Sequence, residues 1–507
     1  MINYNEIFDD DEPSPPPDDE PPQDHPSPSE KEEKISAATA LVNLAIERYD
    51  LAVTPDGEPY ATAKTGRGHI ARFLRGGKQP LRAELAKLYY RDRSKAAPQQ
   101  ALTDALQALE GMAQEMEPVE THLRVARHDD AIWIDLGDVD ENVIRLDPQG
   151  WRMVTDDDPV PVRFRRTKLT GALPIPENDG GDLDELWEFV NVDEADRPLI
   201  LAWLVAAILT PAVPHCILTF FAEQGSAKST ATRALSMLID LSPVPLRKPP
   251  RDVESWVTAA QGSWVVAVDN ISTIPDWLSD ALCRASTGDG DVRRALYTDG
   301  NLAIFAFRRC VLVNGIDVGA LRGDLAERLL TVKLLRIDPD TRCKDGDLWA
   351  KWDALHPKLL GALLARVAGV ARVLPSVELG RSPRMADFAE VLAAVDQVLE
   401  TDGLTRYLEQ SVVAALDSLD GDPFLMRMTA AIIKEFEGTA AELLAMVDPG
   451  DDKRKPPGWP KNAREVTTIL HRNAPALRQA KWTIEDLGSR NKKKVTNWHI
   501  NPPDPTS

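Results

Sequence analysis

The sequence predicts an α/β protein, with a phosphate-binding-loop domain at its centre, an α+β domain before it and a small basic module after it. Residues 182–375 alternate helical segments with apolar strand-like ones, the pattern of helices layered on a sheet. Within that stretch an apolar strand runs into a loop of small residues and then a Lys-Ser pair. Charge is also uneven: the 507 residues carry a net −21, yet residues 451–507 hold twelve basic and six acidic side chains.

The chain is too long for one ordinary domain. With 43% hydrophobic and 27% charged residues, it has the balance of a soluble globular protein. Residues 1–34 contain eight prolines and twelve acidic side chains; they bury too little to offset ordering entropy and are expected to be a disordered tail. Residues 35–176 form the α+β part. Helical spacing appears at 36–49, 81–92 and 99–117, with Thr54-Pro55-Asp56-Gly57 as a turn. A meander of strands comes next at 122–127, 131–136, 142–146, 151–154 and 160–164. The Pro- and Gly-rich stretch 173–181 reads as a boundary. Residues 177–375 then form the α/β domain, 376–447 a helical region and 448–507 the basic module.

Cys216, Cys283, Cys310 and Cys343 are too widely spaced for a zinc knuckle or a disulfide framework, which suits a reducing compartment. The first residues, Met1 to Glu6, show no basic and apolar leader pattern, so a cytoplasmic location is expected. Leu199 to Ala222 is a run of 24 residues without a formal charge, long enough to span a bilayer. Pro211 and Pro214 divide it, so a buried helix at 196–209 and a short strand at 216–221 are expected, and no membrane partner.

The chemistry centres on the loop after that strand. Glu223-Gln224-Gly225-Ser226-Ala227-Lys228-Ser229-Thr230 opens a helix. Backbone N–H groups at a helix start cradle phosphates, a Lys neutralises them and a hydroxyl ligates Mg²⁺. These eight residues are therefore the candidate binders of ATP, with Lys228 catalytic and Ser229 on the metal. Ala222 and Ala227 stand where such loops carry glycine; a Cβ at a left-handed position costs on the order of 1 kcal/mol. A second apolar strand, Trp264 to Val268, ends in Asp269-Asn270. Asp269 is placed to hold Mg²⁺. Asn270 can orient a water but cannot take its proton. A third strand, Cys310 to Val313, ends in Asn314, where an amide can sense the γ-phosphate. Arg328 lies fourteen residues later, a candidate arginine finger. Between the second and third strands, Arg293 and Arg294 lie on a Gly-rich basic turn.

This order of elements, from Ala222 to Arg328, resembles the superfamily three helicases. It looks especially like the helicase-like ATPases of phages and integrative elements, akin to the poxvirus primase–helicase group. The loop itself is also similar to that of minichromosome maintenance helicases, which place Ala before Lys-Ser. The resemblance implies an AAA+ fold and a homo-oligomeric ring that uses ATP and Mg²⁺ at subunit interfaces. It also implies single-stranded DNA in the pore, with Arg293 and Arg294 as contacts, Asn314 as sensor and Arg328 as a finger reaching the neighbouring site. Residues 35–176 show no carboxylate set of the priming type.

At the C-terminus, Ala463 to Lys481 reads as two helical pieces broken at Asn473-Ala474-Pro475, and then two strand-like segments around the basic turn 488–494. Helices leading into a hairpin with a basic tip look like a winged helix, a module with which helicases of this group often end. Arg472, Arg478 and Lys481 would lie on its recognition helix and Arg490, Lys492, Lys493 and Lys494 on the wing, contacting duplex phosphates. The expected function is an ATP-dependent DNA helicase or translocase replicating a mobile element. An ATP-binding DNA scaffold with weak hydrolysis and an AAA+ protein remodeller also satisfy the residues. DNA stimulation of ATPase activity separates the three.

Overall fold

The computed structural model describes residues 35–75, 80–178, 182–223, 225–294, 302–316, 321–338, 343–380, 382–420, 422–450, 455–456, 458–489 and 496–503. The expected acidic tail lies outside them.

Three helices, α1 (Ala37–Arg48), α2 (Pro80–Arg93) and α3 (Gln99–Ala113), pack with an antiparallel sheet of β1 (Tyr49–Val53), β2 (Pro59–Ala63) and β3 (Arg72–Phe73). The turn at Thr54–Gly57 closes the β1–β2 hairpin, and Gly57 takes a positive φ of 84° there. Leu41, Leu85, Leu102 and Leu109 form the core of this unit. Next come β4 (Thr121–His122), the meander β5 (Val125–His128), β6 (Ala131–Asp135), β7 (Val143–Asp147) and β8 (Gly150–Met153), and β9 (Arg163–Phe164), which pairs in parallel with β4.

The alternation in β6 separates two cores. Ala131 and Trp133 face one cluster with Val160 and Phe164, whereas Ile132 and Ile134 join the large central core with Leu204, Leu238 and Leu363. The meander thus shares its core with the α/β region, so the expected boundary at 173–181 does not separate two hydrophobic cores. The reason is that strands apolar on both faces need cover on both.

The centre is a four-stranded, fully parallel sheet in the order β11 (Val265–Ile271), β14 (Cys310–Gly315), β10 (Ile217–Phe221), β15 (Leu329–Thr331). One face packs against α4 (Arg197–Leu209), α5 (Lys228–Ile239), α9 (Asp345–Val373) and α10 (Ala386–Leu399). The other packs against α6 (Val253–Gln261), α7 (Asp276–Thr287) and α8 (Gly323–Ala326). Strand side chains alternate accordingly: Ala267 and Leu312 on the first face, Val266, Val311 and Val313 on the second. Between α7 and β14 stands an antiparallel hairpin of β12 (Gly290–Arg294) and β13 (Leu302–Ala306). The uncharged run resolves into α4, buried along nearly its whole length, and β10. Among the described residues one helix, Asp345–Ser376, is long and apolar enough to cross a membrane; Leu359, Leu363, Leu364 and Val367 of it are buried in the central core. All four cysteines are free, Cys343 alone being exposed.

The chain ends with α11 (Gly403–Asp420), α12 (Pro423–Ala431), β16 (Phe436–Thr439), α13 (Ala440–Val447), α14 (Ala463–Gln479), β17 (Thr483–Ser489) and β18 (Thr496–Asn501), the strands ordered β16-β18-β17. Two expectations need correction here. This module's core runs from Leu419 through Phe424, Met428 and Leu443 to Trp498 and Ile500, so it begins near residue 419 rather than 448. Helix α14 is continuous through Pro475; Val466, Leu470, Ala474 and Leu477 are all buried in one core, and that burial outweighs the lost hydrogen bond.

Candidate functional site

Ligand sites in open α/β sheets form beyond the carboxyl ends of the strands, where neighbouring connections leave in opposite directions. In this sheet that point lies at β10, which has β14 on one side and β15 on the other. The loop after β10 and the ends of β11 and β14 meet there.

The loop is shaped by two left-handed residues, Gly225 (φ 85°) and Ala227 (φ 57°). Ala227 is the residue before α5 and has no side chain with which to cap it, so no N-cap side chain takes up the first N–H groups of the helix. Holding an alanine at that φ is the strain foreseen from the sequence. Lys228 folds back over the loop: its Nζ donates to the carbonyl oxygens of Ala222 at 2.6 Å and Glu223 at 2.7 Å. Burial draws its pKa down, with Asp269 opposing. Ser226 is buried and its hydroxyl donates to Glu223 O at 2.9 Å. The Ser226 hydroxyl thus braces the loop from within. Glu223 is exposed and contributes its carbonyl, Thr230 is half-buried, and Gln224 lies outside the described residues.

Ser229, Asp269 and Asn314 come together. Ser229 Oγ donates to Asp269 Oδ1 at 2.7 Å, and Asn314 Nδ2 donates to the same oxygen at 2.8 Å. The other Asn314 Nδ2 bond goes to Thr232 Oγ1 at 2.9 Å, and Thr232 in turn donates to Lys228 O at 2.8 Å. The sequence motif does not single out Thr232. Its signal is the spacing of one helical turn from Lys228, which puts it on the side of α5 facing β14. A hydroxyl and a carboxylate oxygen in contact make an oxygen-only donor pair, which suits Mg²⁺ when phosphate and water complete the shell.

Asn270 has a conformational explanation. The β11–β14 register shifts between Val268 and Ile271, and Asn270 sits in this bulge at φ 58°, where asparagine is better tolerated than most residues. Its backbone N–H donates to Asn314 Oδ1 at 2.9 Å, so the bulge fixes which way the Asn314 amide points. The exposed Asn270 side chain stands beside Asp269.

Arg328 departs from expectation. It is only 6% exposed, and its guanidinium donates to the carboxylate and carbonyl of Asp324 at 2.5 Å. Its guanidinium is thus engaged within the chain by Asp324, the second residue of α8. Arg322, at the start of α8, is the more open guanidinium, pairing with Asp280 at 2.7 Å.

Among the expected DNA contacts, Arg293 and Arg294 lie on β12 opposite Ala303 and Leu302. Arg472 and Arg478 are exposed on α14, Arg478 donating also to Ile484 O at 3.3 Å, and Lys481 comes just after the helix, exposed. Arg490, Lys492, Lys493 and Lys494 lie outside the described residues.

Residues 183–422 match the family described as actinomycete integrative conjugative element replication protein. Residues 424–506 match the C-terminal domain of the same proteins, and the two stretches together make up well over half of the chain. No curated protein matches significantly. Among solved structures, the apo C-terminal region of NrS-1 (305–718) overlaps 93% of this chain and 100% of its own, at 11% identity and a TM-score of 0.40. A second structure of that region, the A form, overlaps 92% and 99% at 11% identity and a TM-score of 0.39.

Proposed function

We propose that this chain, which belongs to the replication proteins of actinomycete integrative conjugative elements, is an ATP-dependent DNA helicase or translocase of the superfamily three type. The observation that carries the proposal is the convergence of Lys228, Ser229, Asp269 and Asn314 at the carboxyl edge of a parallel sheet.

Each residue has a task that its geometry permits. The N–H groups of α5 and the Lys228 ammonium would hold the ATP phosphates, releasing Lys228 from the Ala222 and Glu223 carbonyls. Ser229 and Asp269 would hold Mg²⁺, which supplies charge neutralisation to the phosphates when bound. Asn314, its amide oriented by Thr232 and the Asn270 N–H, would hold a water or a γ-phosphate oxygen in line. A ring of copies would bring an arginine from the α8 segment to the neighbouring site. The hairpin β12–β13 would meet single-stranded DNA. The order α12, β16, α13, α14, β17, β18 suits a winged helix that applies the exposed face of α14 to duplex DNA.

The test is ATP hydrolysis with and without single-stranded DNA. Stimulation by DNA, abolished in Lys228→Ala, is the expected result; hydrolysis indifferent to DNA would favour the protein remodeller. The scaffold reading has one observation in its favour: the neutral Asn270 beside Asp269, where a second acid would activate water. Bound ATP with negligible turnover in the presence of DNA would establish it.

A further inference from the structure

The amino-terminal edge of the same sheet carries a cleft of about 680 Å³, within the size range of small-ligand sites. The Thr54–Asp56 turn and β4–β5 form one wall; the segments leading into β10, β11 and β14 form the other. Four guanidinium groups line it: Arg127, Arg165, Arg308 and Arg309. Among the described residues only Arg165 pairs with a carboxylate, that of Glu58.

Arg308 and Arg309 are half-buried yet held by neutral acceptors. Arg308 Nη2 donates to Thr287 O at 2.9 Å, and Arg309 donates to Ala260 O at 2.5 Å and Arg308 O at 2.6 Å. Asp289 and Asp387 lie within electrostatic reach of Arg308, and neither pairs with it. The end of α7 is shaped around this cation: Gly288 has φ 91°, and a Cβ there would stand 2.7 Å from Arg308 Nη2. Asp240 likewise lies within electrostatic reach of Arg309 without pairing with it, and sequestering cations without a paired carboxylate is costly unless an anion completes the site. Two acids, Asp56 and Glu120, are also on the lining; Asp56 is engaged by the Thr54 hydroxyl and Glu120 is exposed. Half-buried Phe307 is also on the lining, with the Arg309 guanidinium 5.1 Å from its ring centroid.

We infer that this cleft binds a nucleotide unit, its phosphate on Arg127, Arg308 and Arg309 and its base against Phe307. Cations along a groove with a stacking ring are the elements of single-strand recognition. The hairpin β12–β13 grows from the same place, since Thr287–Asp289 leads into it and Phe307–Arg309 leads out. A strand gripped by the hairpin would therefore continue into the cleft. The inference rests on the reading that the chain acts on DNA, and adds a second binding surface remote from the ATP site.

The experiment uses the full chain without ATP. Binding of fluorescein-labelled oligo(dT) is measured by anisotropy across a salt series for wild type, Arg127→Glu and Arg308→Ala. Arg127 is exposed on β5, so its replacement does not disturb a core. Each variant is expected to weaken binding about tenfold and to flatten the log–log salt slope by about 0.7 for each phosphate no longer neutralised, with affinity for a fluorescent ATP analogue unchanged. Photo-crosslinking of an iodouracil-substituted oligonucleotide should label the peptide containing Phe307. Displacement of that adduct by excess thymidine monophosphate would identify a free nucleotide as occupant; displacement only by oligonucleotide would identify a strand. Unchanged affinity and slope in both variants, or adducts confined to other peptides, overturn the inference. Labelling at Phe307 in a chain that fails to bind ATP would leave it standing while the ATPase reading fell.

Discussion

The two edges of the central sheet hold their charges in opposite ways. At the carboxyl edge, Lys228 and Asp269 lie within electrostatic reach, and hydroxyl and amide groups satisfy the carboxylate. At the amino edge, Arg308 and Arg309 rest on backbone carbonyls, with no carboxylate partner among the described residues. The first arrangement is complete in itself and pre-organised for a cation and phosphate. The second has unspent positive charge and suits a polyanion. Close to the amino edge, a buried pair ties the meander to the sheet: Arg124 Nε donates to Asp240 Oδ1 at 2.9 Å, with exposures of 1% and 4%. Asp240 also accepts the N–H groups of Trp264 and Val265 at 2.8 and 2.9 Å. The meander is thereby fastened to the end of α5 and the start of β11.

The largest expected effect comes from breaking that fastening. Arg124→Ala leaves a buried carboxylate without its cation and should cost about 3–5 kcal/mol, read as a lower urea midpoint. A midpoint within error of wild type would show that the meander is not structurally coupled to the sheet. Next is Lys228→Ala, which should abolish ATP binding and lower turnover by at least about 10²–10³. Binding of oligo(dT) should persist, since the two edges act separately; joint loss would erase the distinction between them.

Acid should act unequally. Burial depresses the pKa of His215 to about 3, that of His69 to about 4 and that of His356 to about 4. The folded state keeps these rings neutral while the unfolded chain protonates them near 6.5. Their contribution is therefore intact above that value and lost progressively as pH falls from there towards the folded pKa, about 2 kcal/mol for each such ring by pH 5. His215 packs edge-on to Trp264, 5.5 Å between centroids, at the amino edge. Hydrogen exchange at pH 5 should accordingly loosen the start of β11 before the β10–α5 loop; the reverse order would refute the assignment.

The smallest effect separates two arginines. Arg328→Ala should lower stability by about 1–2 kcal/mol, its partner Asp324 being half-exposed, and should leave ATP affinity unaltered. Mixing Lys228→Ala with Arg322→Ala protein should restore part of the ATPase activity, whereas mixing it with Arg328→Ala should not. Recovery with Arg328→Ala would mean that its pair with Asp324 opens on assembly.

The sequence by itself determined the linear patterns and the features that depend on them. The 3.6-residue spacing located α1, α2 and α3, and the apolar runs located α4, β10, β11 and β14. Because a strand's end and a helix's start are local features, the positions of Lys228, Ser229, Asp269 and Asn314 were legible, as was the strain at Ala227. Only the tertiary structure decided which partners these residues met. That Thr232 orients Asn314 and that a bulge at Asn270 fixes the same amide depend on segments brought together from 82 and 44 residues apart. That Arg328 is buried and bonded to Asp324 depends on packing, which no spacing records. The same holds for the module that begins near Leu419 and for the continuity of α14 across Pro475. Arg308 and Arg309 belong to no motif that the sequence shows. They form one wall of a cleft because folding sets the meander opposite them, and a chain's long-range contacts, unlike its periodicity, are written in no single stretch of it.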